Sequence, residues 1–242
     1  KFAQCVDFGE KLPKLRAQVV RDLQGRGLGH ETVTAAVVRL LDETAIRVGN
    51  ECYVRTNRSY GATTLRQHHV AVDGKALQIA FRAKSGKERK IKVTDARLNR
   101  IVRRLSDLPG QHLFQYVDGD ERIPVSSDDV NRYIQQIMGD SFSAKDFRTW
   151  AASVLAFELL ASAKGELSLA ALTGGVGEYL GNTPSMARNS YIHPALISLT
   201  KEPQEQWRQS LQLPRQTRYL DRHERGLIAF LRDDRTGSAR RG

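Results

Sequence analysis

Cysteine is almost missing. Cys5 and Cys52 are the whole supply, too few and too far apart for a zinc site and no framework of disulfides. Long apolar runs are missing too: no stretch approaches the roughly 18 consecutive apolar residues of a membrane-spanning helix, so no membrane partner is expected. No carboxylates cluster at a spacing that suggests bound metal ions, as a nuclease activating water usually requires. The first residues, Lys1-Phe2-Ala3-Gln4-Cys5, are neither an initiator methionine nor a secretory leader. They predict a cytoplasmic protein without its natural beginning. Acidic residues are outnumbered, 27 against 38 basic ones, which leaves a net charge of +11. That excess favours a polyanionic partner, nucleic acid first, although a ribosomal or membrane-surface protein would carry the same sign. With 242 residues, 40% of them hydrophobic, the chain is long and apolar enough to bury a sizeable core.

Periodicity orders the chain. A helix is predicted over 11–24, with Pro13 near its start and Leu15, Val19 and Leu23 on one face, ended by the turn Gly25-Arg26-Gly27-Leu28-Gly29. Val33, Ala36, Val37, Leu40, Leu41 and Ala45 predict a second helix running to Val48-Gly49, which sets Arg47 near its C-terminus. Asn57 to Gly61 reads as a polar loop. Beyond it the period becomes two: 69–72, 77–81 and 91–93 read as three antiparallel strands, with Asp73-Gly74 as one turn and Lys84-Ser85-Gly86-Lys87 as the tip of the other. His68 and His69, adjacent in this reading of the strand, would point to opposite faces. From Arg82 to Arg104 ten basic residues meet two acidic ones. Such a run is either a solvated face or a hairpin that follows phosphates, and the overall charge favours the second.

Pro109-Gly110 and 118–121 read as loops around a short apolar segment. Ser126 or Ser127 caps a helix with Val130, Tyr133, Ile134, Ile137 and Met138 inward, stopped by Gly139. Ser143 starts a long core helix carrying Arg148 in its first turn and Ala151, Val154, Leu155 and Leu159 beyond. Two short helical pieces, 167–172 and 176–180, are expected on either side of Gly174-Gly175. After Pro214 comes a last helix with Leu220, Leu227, Ile228 and Leu231, and the tail 235–242 is expected to be disordered.

The most informative stretch runs from Gly181 to Pro194. Thr183 can cap a helix that Pro184 opens, and Pro194 stops it just after Tyr191. A lone tyrosine there is ordinarily half-buried core. Its company changes the reading. Arg47-Val48-Gly49-Asn50-Glu51, Phe81-Arg82-Ala83-Lys84-Ser85-Gly86, Lys145-Asp146-Phe147-Arg148-Thr149-Trp150 and Leu180-Gly181-Asn182-Thr183-Pro184 occur in this order in the same chain. Together they resemble the active-site set of type IB DNA topoisomerases in their compact poxvirus-like and bacterial form. The resemblance extends over roughly residues 1 to 200.

That resemblance implies a site. Tyr191 would be the nucleophile that makes a 3′-phosphotyrosyl link to DNA. Arg47 and Arg148 would clamp the non-bridging phosphate oxygens, where a planar guanidinium fork suits the crowded phosphorus. Lys84 would protonate the departing 5′-oxygen. Asn182 stands where many relatives have histidine; its amide can donate to an oxygen but cannot carry charge. Tyr53 matches a DNA-contact position, and Asn50, Arg58, Tyr60, Lys145 and Arg188 are weaker candidates for contact. His193, two residues past Tyr191, would face away if the helix continued. No ATP, no metal site and no essential divalent cation are implied; the partner is duplex DNA, and the protein is expected to act as a monomer in the cytoplasm, on the nucleoid.

The fold class expected is α+β: a mainly α-helical catalytic domain over 1–214 with a small three-stranded antiparallel sheet and lysine hairpin at about 64–94. A C-terminal helix and basic tail would follow at 215–242. Relatives carry a β-rich N-terminal domain that here would be absent, which would weaken DNA binding and make it strongly salt-dependent. Two other readings compete. A tyrosine recombinase or integrase uses the same chemistry, but its second arginine usually sits in a His-x-x-Arg box, where this chain has Lys145-Asp146-Phe147-Arg148. A non-catalytic basic nucleic-acid-binding protein would bind DNA and form no covalent adduct.

Overall fold

The computed structural model describes residues 2–239. In chain order the helices and strands begin with α1 (Cys5–Asp22), α2 (His30–Thr44) and α3 (Glu51–Asn57). Then come β1 (Val70–Asp73), β2 (Ala76–Arg82), β3 (Glu88–Val93), α4 (Ala96–Ser106), β4 (Gln115–Asp118) and β5 (Glu121–Pro124). The remainder is helical: α5 (Ser127–Met138), α6 (Ala144–Ser162), α7 (Leu169–Leu180), α8 (Pro184–Ser190), α9 (Pro194–Leu199), α10 (Gln204–Ser210) and α11 (Arg222–Ala239). The class is α+β, mainly helical with a small three-stranded antiparallel sheet, as expected. The chain divides into two compact units, residues 14–147 and residues 1–13 with 148–242.

The 14–147 unit is built on α2, whose Val33, Ala36, Val37, Leu40 and Leu41 are all buried. Around it pack α4, α5, β3 and β4. The sheet has the order β1-β2-β3. Ile79 pairs with Ile91 and Leu77 with Val93 on the apolar face, while Gln78 faces Lys92 and Ala80 faces Lys90 on the other. Alternation alone dictates this register, since a slip of one residue would turn every apolar side chain to water. A second hairpin, β4-β5, was not anticipated; its turn is Gly119-Asp120, with Gly119 at φ 57°. Ser126 caps α5 in a reciprocal box with Asp129, and Gly139 ends it, as its sequence predicts.

The basic run 82–104 is used in two ways. Lys84, Lys87, Lys90 and Lys92 are exposed. On α4, by contrast, Arg100 donates to the Leu23 carbonyl (2.6 Å), Arg104 to the Arg26 carbonyl (2.6 Å) and Arg103 to the Gly74 carbonyl. Those three arginines satisfy main-chain acceptors at the end of α1 and in a strand turn.

In the other unit, α6 buries Trp150, Ala152, Ala156, Phe157 and Leu160. The expected inward set Ala151, Val154, Leu155 and Leu159 is only half-buried, because the aromatic residues claim the core face. Gly9 lies against Trp150: a Cβ there would come within 2.3 Å of the ring. Pro13 sits inside α1, which begins earlier than its periodicity suggests. Helix α7 runs unbroken through Gly174 and Gly175; the burial of Leu172, Thr173, Val176 and Leu180 outweighs the roughly 1 kcal/mol per glycine that helix propensity charges. Helices α9 and α10 were not anticipated. Leu220 precedes α11 instead of lying in it. The backbone of 235–239 continues α11, so the expected disorder does not hold there, and 240–242 lie outside the described residues.

Among the described residues, no helix is long and apolar enough to cross a membrane, and no three His, Cys, Asp or Glu side chains are grouped as metal ligands.

Candidate active site

Arg47 and Lys84 belong to the 14–147 unit; Arg148, Asn182 and Tyr191 belong to the other. Each group is built by its own local chemistry.

Helix α2 ends before Arg47. Ala45 adopts the left-handed conformation (φ 49°) and its N–H closes on the Leu41 carbonyl, so Arg47 stands in the following loop, not near a helix end. What fixes that loop is a contact between two glycines. A Cβ on Gly61 would lie 2.5 Å from the Arg47 carbonyl oxygen, 2.5 Å from the Gly49 nitrogen and 2.6 Å from the Gly49 Cα. With both side chains absent, the Ala62 N–H donates to the Arg47 carbonyl (2.8 Å) and the Thr63 N–H to the Val48 carbonyl (2.7 Å). The Thr63 hydroxyl donates to the same Val48 oxygen (2.9 Å). Gly49 itself has φ 93°, a region that L side chains avoid. Arg47, half-buried, thus projects from a main chain held at three points.

Asn50 caps α3, its side-chain oxygen accepting from the Cys52 N–H at 2.8 Å. Glu51 pairs with Arg66 (3.0 Å) and with His112 (3.0 Å), which ties the first turn of α3 to two loops. Nothing in the residue pattern around Glu51 announces that role. Helix α3 was itself missed, being seven residues long and without a buried face. It matters because it presents Tyr53, 57% exposed, with the Lys84 ammonium 6.0 Å from its ring centroid. Lys84 lies where expected, between β2 and β3, in a tight turn where Ser85 (φ 64°) and Gly86 (φ 74°) are left-handed.

Arg58 ends α3 in a left-handed conformation and is exposed. Tyr60 packs edge-on against His69 with centroids 4.4 Å apart. It is half-buried. His68 and His69 lie in a 3-10 turn ahead of β1, not in the strand, and their rings are 4.2 Å apart. His69 Nδ1 accepts the Arg66 N–H at 3.0 Å. Burial, then the charges of His68 and Arg66, lower its pKa to about 4.

In the second group, α7 ends in a Schellman turn. Gly181, at φ 65°, donates to the Glu178 carbonyl (3.0 Å), and Asn182 N–H returns to the Gly177 carbonyl (2.7 Å). Gly177 lets 182–184 pass closely, since a Cβ there would meet Asn182 O and Pro184 N at 3.2 Å. The Leu-Gly-Asn-Thr-Pro segment is therefore a helix stop, a close crossing and a helix start in succession. Thr183 then caps α8, accepting from the Met186 N–H (3.2 Å), and Tyr191 closes that helix with its N–H on the Ala187 carbonyl (3.0 Å).

Arg148 is 4% exposed. It donates to the Leu180 carbonyl at 3.2 Å, and its guanidinium carbon lies 4.9 Å from the centroid of the Tyr191 ring. Arginine, nucleophile candidate and the end of α7 are thus brought together within one unit. His193 does not continue the helix of Tyr191; it caps α9, accepting from the Ala195 N–H (3.2 Å), and its ring meets Phe2 at 5.7 Å. Lys145 and Arg188 are exposed on α6 and α8.

A short helix thus ends on a tyrosine whose ring lies 4.9 Å from a buried arginine, and a basic hairpin and an arginine-bearing loop occur elsewhere in the chain. Residues 1–188 match the family described as the catalytic core of eukaryotic DNA topoisomerase I. The match takes in Arg47, Lys84, Arg148 and Asn182 and ends before Tyr191. The chain is also 34% identical over 167 residues to DNA topoisomerase 1B of Acanthamoeba polyphaga mimivirus. That stretch covers 67% of this chain and 50% of the viral protein, so the chain spans about half the length of that relative. Two solved structures of the XerH site-specific recombinase resemble it at 13% identity and a TM-score of 0.48. One is a pre-cleavage complex with difH, covering 74% of this chain and 48% of that one; the other, a post-cleavage complex with palindromic difH, covers 84% and 51%. The chain belongs to the type IB DNA topoisomerase family, as a catalytic core.

Proposed function

We propose that this chain relaxes supercoiled duplex DNA by cutting one strand through a 3′-phosphotyrosyl intermediate, letting the free end rotate, and resealing it. The Tyr191 phenolic oxygen attacks the scissile phosphorus and loses its proton to solvent water; the bond to the 5′-oxygen breaks, and that oxygen takes a proton from Lys84. Arg47 and Arg148 offset the charge on the non-bridging oxygens, and the Asn182 amide adds a hydrogen bond. The phosphotyrosyl bond conserves the energy of the broken one, so resealing needs no ATP. Cations supplied by side chains serve where a metal ion otherwise would, so no divalent cation is essential. Tyr53, Arg58, Lys145 and Arg188 contact the duplex, and the protein works as a monomer.

The observation that carries this reading is the Arg148 guanidinium 4.9 Å from the Tyr191 ring centroid. The same guanidinium donates to the Leu180 carbonyl at 3.2 Å, and its planar fork of donors suits the oxygens of a phosphate. The test is relaxation of negatively supercoiled plasmid at low salt, in EDTA and without ATP, by this chain and by Tyr191→Phe. Relaxation by the first alone is expected. Relaxation by Tyr191→Phe, or none by either despite tight DNA binding, would overturn it.

A further inference from the structure

Helix α6 buries a hydroxyl whose position its own backbone does not explain. Ser153 is 0% exposed, and a buried hydroxyl left without partners is costly. Its partners lie on the chain leaving α8. The Ser153 hydroxyl donates to the Tyr191 carbonyl at 3.3 Å, and the His193 N–H donates to the Ser153 oxygen at 3.1 Å. Between the two, Ile192 is 0% exposed and sends its N–H to the Ala187 carbonyl (3.0 Å). Tyr191 has left helical geometry (φ −132°, ψ −40°), so its carbonyl lies past the helix end, where intrahelical donors run out. One serine meets both needs. The same helix carries Arg148 over the Tyr191 ring.

We infer that Ser153 is a positioning residue for the strand-transfer step. It fastens the main chain directly after Tyr191, on both sides of Ile192, to the helix that carries Arg148, and so fixes the register between phenol and guanidinium. A rigid element bearing both the charge and the anchor of its neighbour is how a reacting group is held to a fraction of an ångström. This rests on the reading of Tyr191 as nucleophile.

The experiment uses the full chain and a duplex whose cut strand releases a short fragment, so that the covalent adduct accumulates in a single turnover. Ser153→Ala is compared with the parent, with Ser153→Thr and with Tyr191→Phe, at saturating DNA and with DNA affinity measured separately. Expected is a cleavage rate lower by about 10- to 100-fold, the scale of a displacement near 1 Å, with affinity within about twofold, and recovery of most of the rate in Ser153→Thr. A merely structural serine would lower the melting temperature and the folded fraction but leave the rate per folded molecule unchanged; that result, or parental cleavage by Ser153→Ala while Tyr191→Phe makes no adduct, overturns this inference alone. An adduct formed by Tyr191→Phe would instead overturn the nucleophile itself.

Discussion

Gly61→Ala is the sharpest test of how the Arg47 loop is held. The backbone at Gly61 is extended, φ −147° and ψ −174°, so alanine meets no dihedral penalty and any effect must come from contact. The added methyl would sit 2.5 to 2.6 Å from three atoms, all backbone: Arg47 O, Gly49 N and Gly49 Cα. None can rotate aside. The two loops must part, and three hydrogen bonds, two from Ala62 and Thr63 N–H and one from the Thr63 hydroxyl, lengthen or break. At about 1 kcal/mol each, less roughly 0.5 kcal/mol that alanine returns by restricting the unfolded chain, the expected loss is about 2 to 3 kcal/mol. Both tryptophans, Trp150 and Trp207, lie in the other unit, so a probe of the whole backbone is preferred to their fluorescence. The measurement is urea unfolding followed by circular dichroism, with hydrogen exchange at the amides of Ala62 and Thr63. Gly27→Ala is the control, because its nearest neighbour would be 3.8 Å away, and it should be neutral. A Gly61→Ala protein within about 0.5 kcal/mol of the parent, the scatter of ordinary surface changes, would refute the packing argument.

Three further outcomes are expected. Arg148→Lys keeps the charge but loses the planar group that stacks on Tyr191 and reaches the Leu180 carbonyl; single-turnover cleavage should fall by about 100-fold with little change in DNA affinity. His69 binds its proton in the folded protein only near pH 4, against 6.5 when unfolded. Between those values the unfolded chain holds more protons, so stability should be full above pH 6.5 and decline as pH falls towards 4. Protonated Nδ1 could no longer accept the Arg66 N–H, and denaturation midpoints of His69→Gln should be flatter across that window. Lys90→Ala and Lys92→Ala, exposed on the polar sheet face, should each reduce the slope of log affinity for duplex against log salt by about 1. Arg100→Ala should leave that slope alone and lower stability, because Arg100 serves the Leu23 carbonyl.

What could be read from the sequence was whatever rests on side-chain periodicity or a local capping group. The three strands follow from strict alternation, and α5 and α8 follow from Ser126 and Thr183. What could not be read depends on main-chain conformation or on distant partners. An alanine in the left-handed region announces nothing, so the end of α2 at Ala45 was placed too late and Arg47 was assigned to the wrong kind of backbone. Gly174-Gly175 looks like a break, and only the burial of α7 on both sides overrides it. The β4-β5 hairpin has four-residue strands, too short for period two to stand out. The ring partner of Tyr60 and the capping role of Asn50 likewise depend on elements that the sequence pattern does not reveal.

The two groups of site residues are held by similar means. Arg47 projects from a main chain anchored by a glycine pair and Thr63, and Tyr191 from one anchored by Ser153 and the turn at Gly181. In both, anchoring bonds act on peptide groups of the residue or its neighbours. Lys84 differs: its turn rests on a bond between Gly86 N–H and the Ala83 carbonyl (3.1 Å) and one between Ala83 N–H and the Lys87 carbonyl (2.8 Å), with the side chain exposed. A proton donor to a leaving group has to follow an oxygen that moves as its bond breaks, whereas groups that neutralise a fixed phosphate gain most from being preorganised. With the roles proposed above, the anchored main chain at Arg47 and the exposed lysine turn match that division of labour.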